Sequence, residues 1–303
     1  MPLFTWRKLF SRPRTAPPAR RRPPAPLVEL LETRLAPAVL ATQTYVDDNW
    51  ADVTHPTGPL TLGDMVRNDN DTIAPGTITA TYGSTGFGHV IISSTPTSLA
   101  GAATINNAIA NTNSGGTVSV LEGTYNEDVT VGTSLILQGA QHGVSAQTGR
   151  PVAAESTVIG DGSASTITVS ANNVTIDGFD VQGPAGPGTS ADGVLANGTT
   201  GLSITNNVIE SNSGGIALGA GGGSVTNNLV RNNNASGSDQ GNGITFFTAS
   251  AGPWAIGANT FNNTDLAHGN VDIVIDPGTG TVSSVTITGN TFTSTAANPV
   301  FAL

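Results

Sequence analysis

Cysteine is absent from the 303-residue chain, which excludes disulfide frameworks, thiolate metal sites and cysteine nucleophiles. Lysine is almost absent, since Lys8 is the only one, and charged residues make up just 11% of the chain. No stretch approaches the about 18 consecutive apolar residues that a membrane-spanning helix needs, so we expect no membrane span. These absences exclude thiol redox chemistry and leave few basic side chains for any function.

Positive charge is concentrated in the first part of the chain. Eight of the 11 Lys and Arg residues lie between Arg7 and Arg34. From residue 41 onward, three arginines face nineteen carboxylates, which gives a formal charge of −16 for that part. Because such a surface repels phosphate backbones, we expect no nucleic-acid partner.

Residues 1–40 have the composition of a disordered targeting or export segment, because they are basic and rich in proline. The stretch LVELLETRLAPAVLA (27–41) does not fit an ordinary secretory signal, since three charged residues interrupt its apolar region. Within it, LLETRLAPA resembles the Leu-Glu-x-Arg-Leu-x-Pro-Ala motif near the start of many large surface and exported proteins of planctomycete bacteria. This resemblance implies a bacterial protein located outside the cell or at its surface. The alternative is a short amphipathic helix with a basic tail.

Residues 41–98 are weakly patterned, and we interpret them as an irregular β segment that caps the next part of the chain. After them, apolar residues recur at helical spacing ahead of a Gly-Gly pair at 115–116. This pattern predicts one short helix ended by glycine. The apolar positions are Leu99, Ala102, Ile105, Ala108 and Ile109.

Beyond the helix, the hydrophobic period changes to two. Short alternating runs such as TVSVLEGTY and STITVSANN, bounded by Gly, Asn or Asp, indicate short strands separated by sharp turns. Many of the turns contain asparagine at recurring intervals: Ile176, Ile204, Val225, Ile256 and Ile287 align at spacings of 28, 21, 31 and 31 residues. An interval of 21 is enough for one triangular coil of three strands, so the longer intervals must include loops.

Asparagine suits a tight corner between two strands, because it tolerates left-handed backbone and its amide bonds locally. Stacked coils should therefore superimpose the corner asparagines as an amide ladder, formed by Asn207, Asn228, Asn259 and Asn290. The same alignment predicts internal apolar stacks, formed by Ile204, Ile209, Val225, Val230, Ile256, Phe261, Ile287 and Phe292.

The stretch TINNAIANTNSGGTVSVLEGTYNEDVTVGTSLILQGA (104–140) is similar to the first coil of right-handed parallel β-helix proteins with the pectin lyase-like fold. The resemblance extends over residues 99–303. It implies an all-β, right-handed parallel β-helix with one short N-terminal capping helix and a disordered basic N-terminus. Pectin esterases, polysaccharide lyases, glycoside hydrolases, uronate epimerases and non-enzymatic surface proteins share this fold, so the fold leaves the function open.

The family's catalytic motifs are not intact in this sequence. Lyases of the family use Lys, Arg or Tyr as a base, usually with calcium held by Asp. Here the tyrosines Tyr45, Tyr82 and Tyr125 precede the main coils, and Arg150 and Arg231 are the only Lys or Arg residues within them. Hydrolases of the family carry Asn-Thr-Asp, Asp-Asp and Gly-His-Gly motifs. Here Asn263-Thr264-Asp265 and His268-Gly269 fall in one loop, and no Asp-Asp pair occurs within residues 99–303.

Two loops nevertheless form the main candidate site. RNNNASGSDQGN (231–242) and NNTDLAHGN (262–270) follow equivalent strands on adjacent coils, so we expect them to lie side by side. The candidate catalytic residues are Arg231, Asp239, Asp265 and His268, with Asp192 from the preceding coil and Trp254 as a face for sugar stacking. A histidine beside carboxylates suits acid–base chemistry, and carboxylate oxygens suit calcium, the one cofactor considered. The alternative is a set of solvated loop residues, together with Asp128, Asp161, Asp177 and Asp180 as turn formers.

Three interpretations of function remain. The sequence favours an exported surface or extracellular β-helix that acts as a structural or carbohydrate-interacting module, with polysaccharide or cell-surface partners. A second interpretation is a polysaccharide lyase or glycoside hydrolase acting on an acidic glycan. The third is a fragment of a larger surface protein, because NPVFAL ends the chain without a polar or helical cap; an uncapped last coil would favour oligomerisation.

Overall fold

The computed structural model describes residues 40–48, 51–52, 65–67, 79–81, 89–90, 104–147, 150, 154–183, 191–233, 242–248, 253–264, 271–276, 281 and 284–293. All of them belong to one compact unit, Val39–Leu303. The export segment predicted at residues 1–40 therefore falls almost entirely outside the described residues and stays a prediction.

The elements are short strands and one helix within the described ranges. The first strands are β1 Ala41–Val46, β2 Ala51–Asp52, β3 Met65–Arg67, β4 Thr79–Thr81 and β5 His89–Val90. Helix α1 (Ile105–Asn111) precedes β6 Thr112–Val120, β7 Gly123–Asn126, β8 Val129–Val131, β9 Ile136–Gln138, β10 Ser156–Ile159, β11 Ile167–Val169, β12 Thr175–Asp177 and β13 Phe179–Gln182. The remaining strands are β14 Asp192–Ala196, β15 Thr199–Thr205, β16 Val208–Glu210, β17 Gly214–Leu218, β18 Gly221–Thr226, β19 Leu229–Arg231, β20 Asn242–Phe246, β21 Trp254–Gly257, β22 Thr260–Phe261, β23 Val271–Ile275, β24 Val285–Thr288 and β25 Thr291–Phe292.

Three parallel sheets form the body of the molecule. Sheet I has the order β24-β21-β18-β15-β12-β9-β6-β1-β5, sheet II the order β25-β22-β19-β16-β13-β10-β7, and sheet III the order β23-β20-β17-β14-β11-β8. From β6 onward the chain visits sheets I, II and III in turn, so each circuit adds one strand to every sheet. A small antiparallel sheet, β2-β3-β4, stands apart from this pattern. The chain is thus an all-β parallel β-helix, which confirms the predicted fold class.

The register of the coils confirms the repeat that the sequence predicts. In sheet I, Ile176 pairs with Ile204, Ile204 with Val225, Val225 with Ile256, and Ile256 with Ile287. These pairs reproduce the spacings of 28, 21, 31 and 31 residues. Strand β1 pairs with β6, so the coil stack also includes residues 41–46.

The predicted amide ladder is present at the corner between sheets I and II. Asn207 Nδ2 donates to Asn228 Oδ1 at 3.1 Å, Asn228 Nδ2 to Asn259 Oδ1 at 2.9 Å, and Asn259 Nδ2 to Asn290 Oδ1 at 3.0 Å. Asn207, Asn228 and Asn259 are completely buried. Each amide therefore satisfies corner groups that are removed from water.

A second, shorter ladder at the corner between sheets II and III was not predicted. Asn212 Nδ2 donates to Asn233 Oδ1 at 3.0 Å, and Asn233 Nδ2 donates to the backbone carbonyl of Ile209 at 2.9 Å. Asn263 differs, because its Nδ2 donates to Asp272 Oδ1 at 2.7 Å. The signal was available in the sequence, since these asparagines follow the first ladder by five, five and four residues.

The predicted apolar stacks form the core, with one exception at the last described coil. The completely buried members are Ile204, Ile209, Val225, Val230, Ile256 and Phe261. Ile287 is partly buried, and Phe292 remains 40% exposed although its ring stacks on Phe261 with centroids 5.0 Å apart. The reason is position: no further coil covers Phe292 among the described residues.

Helix α1 packs beside the first coils, but it ends earlier than predicted. It begins after Thr104, whose side chain accepts a hydrogen bond from the Asn107 backbone, and ends at Asn111. Gly115 and Gly116 lie inside β6 instead of ending the helix. Thr112 ends it, because its hydroxyl bonds the Ala108 carbonyl at 2.7 Å while its backbone joins β1. No helix in the described part of the chain is both long and apolar enough to cross a bilayer.

Candidate functional site

A pocket of about 280 Å³ opens on the outer face of sheet I near strand β1. We call it the Tyr45 pocket. Its polar and aromatic lining comes from three strands and two loops, namely Gln43, Tyr45, Ser119, Glu122, Gln138 and His142.

Strand alternation explains why these side chains share one face. Tyr45 pairs with Ser119, which pairs with Gln138, so the three occupy one row across β1, β6 and β9. Their neighbours in sequence, including Thr44 and Val118, point inward and are completely buried. The two-residue period thus separates a core row from a row that faces outward.

The turn after β9 forms the far wall of the Tyr45 pocket. The His142 backbone donates to the Gly139 carbonyl at 3.1 Å, and its Nδ1 lies 2.9 Å from the same oxygen. One residue later, the Gly143 backbone donates to Asp177 Oδ1 at 3.0 Å. These bonds fix the turn against the sheet, so the pocket has a preformed wall.

The lining of the Tyr45 pocket suits a ligand with many hydroxyl groups. Gln43 and Gln138 each offer amide donors and an acceptor, while Ser119 and Tyr45 offer hydroxyls. Gln43 Nε2 already donates to Ser119 Oγ at 3.3 Å, which orients both groups. The Tyr45 ring adds an apolar surface beside them. Pockets that combine apolar walls with a few placed polar groups are typical of small-molecule sites.

A second group of functional side chains, which we call the charged network, lies on sheet II and the 139–155 loop. Its residues are Arg150, Glu155, Asp180, Gln182, Glu210 and Arg231. Arg150 and Glu155 form an ion pair with Nε and Oε1 2.9 Å apart, although the pair lacks the geometry of a hydrogen bond. Both side chains are buried, at 1% and 5% exposure.

Arg150 attaches the 139–155 loop to the coils. Its guanidinium donates to the backbone carbonyls of Asn206 at 2.7 Å and Phe179 at 3.1 Å, which belong to two successive coils. Two weaker bonds reach carbonyls of its own loop. Arg150 was one of the two cations available to a lyase mechanism, but these contacts give it a structural role.

Burial raises the pKa of two carboxyl groups in the charged network. The pKa of Glu155 rises to about 7 because the group is buried, an effect that the Arg150 guanidinium only partly offsets. The pKa of Asp180 rises to about 6 through burial and the nearby Glu210 carboxylate. Asp180 was predicted as a turn former, but it lies within β13, with Oδ2 accepting from Gln182 Nε2 at 2.8 Å and Oδ1 unbonded.

Of the four candidate catalytic residues, only Arg231 lies within the described residues. Its guanidinium pairs with Glu210 on the preceding coil, and this hydrogen bond raises the pKa of Arg231. Asp239, Asp265 and His268 fall outside the described residues, so their convergence with Arg231 stays a prediction. No group of three or more His, Cys, Asp or Glu side chains that could hold a metal ion occurs where the structure is described.

The two accessory candidates have different outcomes. Asp192 begins β14 in sheet III, where burial raises its pKa to about 6, whereas Arg231 ends β19 in sheet II. Trp254 was predicted to offer a face for sugar stacking, and this prediction is wrong. Its side chain is 1% exposed and packs edge-on against Phe246, because position 254 points into the core.

The Tyr45 pocket was missed because its residues are far apart in the sequence. Gln43 and Ser119 are 76 positions apart, and nothing in the local pattern shows that their strands are neighbours. The charged network had a visible signal: Glu210 and Arg231 are 21 residues apart, which is one coil interval.

Comparisons with known proteins add a distant structural likeness and no family. The chain matches no protein-family model and no curated protein. Among solved structures, it is similar to the crystal structure of the pectin methylesterase from Aspergillus niger, with 14% sequence identity and a TM-score of 0.40. The match covers 68% of this chain and 88% of that chain. At this level of identity, the likeness concerns the parallel β-helix alone.

Proposed function

We propose that the protein is an exported β-helix module that binds neutral carbohydrate in the Tyr45 pocket. The observation that carries the proposal is the placement of the Tyr45 ring in one row with Ser119 and Gln138, with Gln43 beside them. A sugar ring presents an apolar face of C–H groups and a rim of hydroxyls. The aromatic ring complements the face, and the amides and hydroxyls complement the rim.

Charge supports a neutral ligand over an acidic one. The chain carries a formal charge of −10, and Glu122 is part of the pocket lining. This negative charge would repel an acidic glycan but not a neutral one. The alternative lyase or hydrolase acting on an acidic glycan draws no support from this pocket.

Export is supported by the N-terminal motif. The stretch LLETRLAPA resembles a motif of exported and surface proteins, and the absence of cysteine and the polar outer faces of the coils are compatible with that location. A rigid coil stack outside the cell would present the Tyr45 pocket to cell-wall or environmental polysaccharide.

The test is binding of the full chain to a panel of polysaccharides, with cellulose, xylan and mannan as neutral members and polygalacturonate and alginate as acidic ones. We expect retention on at least one neutral member and none on the acidic members. Tyr45→Ala should lower the affinity at least about tenfold, as loss of an aromatic anchor usually does.

The matched control is Phe292→Ala, which removes an exposed aromatic ring from sheet II. Because Tyr45 also packs against the core, Gln138→Ala provides a second variant that spares the core contact. Neutral-glycan binding that survives both Tyr45→Ala and Gln138→Ala would place the binding site elsewhere and overturn the proposal.

A further inference from the structure

The outer face of sheet I continues beyond the Tyr45 pocket as two rows of hydroxyl side chains. Ser203, Ser224 and Thr286 lie in one row, and Thr205, Thr226 and Thr288 in the other; we call these the hydroxyl rows. Strand pairing sets them in register across β15, β18 and β24, with Ala255 and Gly257 of β21 between the last two. All six side chains are at least partly exposed.

The first hydroxyl row continues a row of the Tyr45 pocket. From Gln43 the register passes through Thr117, Ile136 and Thr175 to Ser203 and Ser224. The 139–143 turn crosses the parallel row at Asp177, whose Oδ1 accepts from the Gly143 backbone at 3.0 Å and from Asn206 Nδ2 at 2.8 Å. The connection between pocket and rows therefore runs beside this turn, over two threonines and the exposed Ile136.

A second concavity, which we call the glycine groove, flanks the first hydroxyl row along strands β15, β18, β21 and β24. It has a volume of about 440 Å³, and its lining includes Gly201, Gly222, Gly223, Pro253, Ala255 and Thr286. The three glycines contribute no side chains to fill it. The groove is therefore a shallow apolar trough next to hydroxyl groups. The trough complements the C–H face of a sugar ring, and the hydroxyl groups complement its rim.

The hydroxyl groups follow the spacing of the sheet, with one interruption at Ala255 and Gly257 of β21. Neighbouring strands lie about 4.8 Å apart, and alternate residues along one strand lie about 6.7 Å apart. Thr226 Oγ1 donates to Thr205 Oγ1 at 3.2 Å, so hydroxyls on adjacent coils orient one another. A regular array of donors and acceptors favours a ligand that repeats, because each further unit adds the same contacts.

From these observations we infer that sheet I binds an extended neutral polysaccharide chain, which runs along the coil axis from the Tyr45 pocket to the glycine groove. Four strand steps separate β6 from β18, a span of roughly 19 Å. The ligand is therefore an oligosaccharide of several units and not a single sugar. The inference rests on the proposed function and deepens it by assigning the length and direction of the ligand.

The test is calorimetric titration of the full chain with cello-, xylo- and manno-oligosaccharides, each from disaccharide to octasaccharide. We expect affinity to rise at least about tenfold along the best series, because longer chains reach the hydroxyl rows. Combined Thr205→Val and Thr226→Val should lower octasaccharide affinity at least about fivefold and leave disaccharide affinity unchanged. Valine keeps the β-branched shape, so the strands should be retained.

The matched control is Thr124→Val with Thr260→Val, two substitutions of the same kind on sheet II, and it should change neither affinity. Two results would overturn the inference and leave the proposed function standing. In the first, a disaccharide binds in a way that depends on Tyr45, but longer chains bind no more tightly. In the second, affinity rises with chain length, but neither pair of valine substitutions reduces that rise. Absence of binding to every neutral sugar would overturn both the inference and the proposed function. Adsorption to growing ice without glycan binding would also overturn the inference, because ice is another repeating hydroxyl lattice.

Discussion

Two consecutive residues form the corners between sheets I and II that follow β15, β18 and β21. The first has a left-handed backbone, with φ of 56° at Asn206, 58° at Asn227 and 54° at Ala258. The second places its side-chain amide in the ladder. Asparagine suits both positions for different reasons, which is why pairs of asparagine recur there.

Asn228 and Asn259 each make four side-chain hydrogen bonds in the ladder, and Asn228→Ala tests their contribution to stability. The change removes two bonds accepted by Oδ1 and two donated by Nδ2, all at a completely buried residue. We expect the free energy of unfolding to fall by about 3–5 kcal/mol, because partners are left unbonded away from water. Chemical denaturation measures this loss.

Asn172→Ala is the matched control. Asn172 Oδ1 accepts from the Thr200 backbone at 2.8 Å, but the side chain is exposed and water can replace it. Its loss should cost less than about 1 kcal/mol. Equal costs at both positions would contradict a special role for the buried ladder.

Ala258 has a left-handed backbone conformation, which asparagine and glycine adopt more easily than alanine. Ala258→Asn should therefore raise the free energy of unfolding by about 0.5–1 kcal/mol, because asparagine adopts this backbone conformation at lower cost. Thermal unfolding measures the gain. Ala255→Asn, on an exposed strand position three residues earlier, should give no gain; a decrease in stability for Ala258→Asn would contradict this prediction.

Individual residues can be placed from the sequence where their geometry repeats from coil to coil. Asn207, Asn228, Asn259 and Asn290 were predicted because their spacing is a coil interval. Trp254 was misassigned because aromatic character alone does not show which face of a strand a residue occupies. Register against Gly223 and Val285 decides that it points inward, and register is a property of three strands together.

At the scale of elements, the 139–155 loop and strands β10, β13, β16 and β19 enclose the charged network. Arg150 bonds two coils, and Ala146 of the loop packs with Val208 and Leu229 on sheet II. The loop is thus attached by both charge and apolar contact. Glu155 and Asp180 are carboxyl groups whose pKa values rise on folding, which links stability to pH.

The sign of this pH dependence is opposite to the usual acid sensitivity. The ordinary pKa values of Asp and Glu, 3.8 and 4.5, rise to about 6 for Asp180 and Asp192 and to about 7 for Glu155. Between the ordinary and the raised pKa values, the folded state binds more protons than the unfolded state. The contribution of these three groups to stability is therefore greatest below about pH 4, and it falls as pH rises toward about 7. We expect a lower melting temperature at about pH 8 than at about pH 5.

Asp180→Asn should remove part of this dependence. At about pH 8 it should raise the free energy of unfolding by on the order of 1–3 kcal/mol, since no buried charge has to form beside Glu210. Asp161→Asn is the control, because Asp161 is exposed and hydrogen bonds to Ser163 lower its pKa. A melting temperature that climbs from about pH 5 to about pH 8, or an unchanged slope in Asp180→Asn, would contradict the assignment.

The elements themselves could be predicted only in part. Strands and turns followed from the two-residue period and from Gly and Asn at the corners. The end of α1 could not be predicted from Gly115 and Gly116, because Thr112 is drawn into pairing with β1, and β1 lies about seventy residues earlier. The tie between Arg150 and the coils likewise depends on how a loop folds back, which local pattern does not determine.

At the scale of the whole molecule, the fold could be predicted and the site could not. A parallel β-helix repeats one local unit, so a single chain already displays its rule several times. The Tyr45 pocket occurs once, at the junction of β1, β6 and β9 with the 139–143 turn. A site made once from distant segments leaves no periodic signal, and the loops that carried the sequence candidates Asp239, Asp265 and His268 lie outside the described residues.

The proposed function requires that the protein bind a neutral glycan on sheet I. The most direct measurement incubates the full chain and Tyr45→Ala with the neutral and acidic polysaccharide panel, with and without calcium, and follows bound protein, reducing ends and unsaturated products together. We expect saturable binding to a neutral glycan and loss of that binding in Tyr45→Ala. Cleavage of an acidic glycan that persists in Tyr45→Ala would contradict the proposed function and favour an enzyme acting through the 231–270 loops.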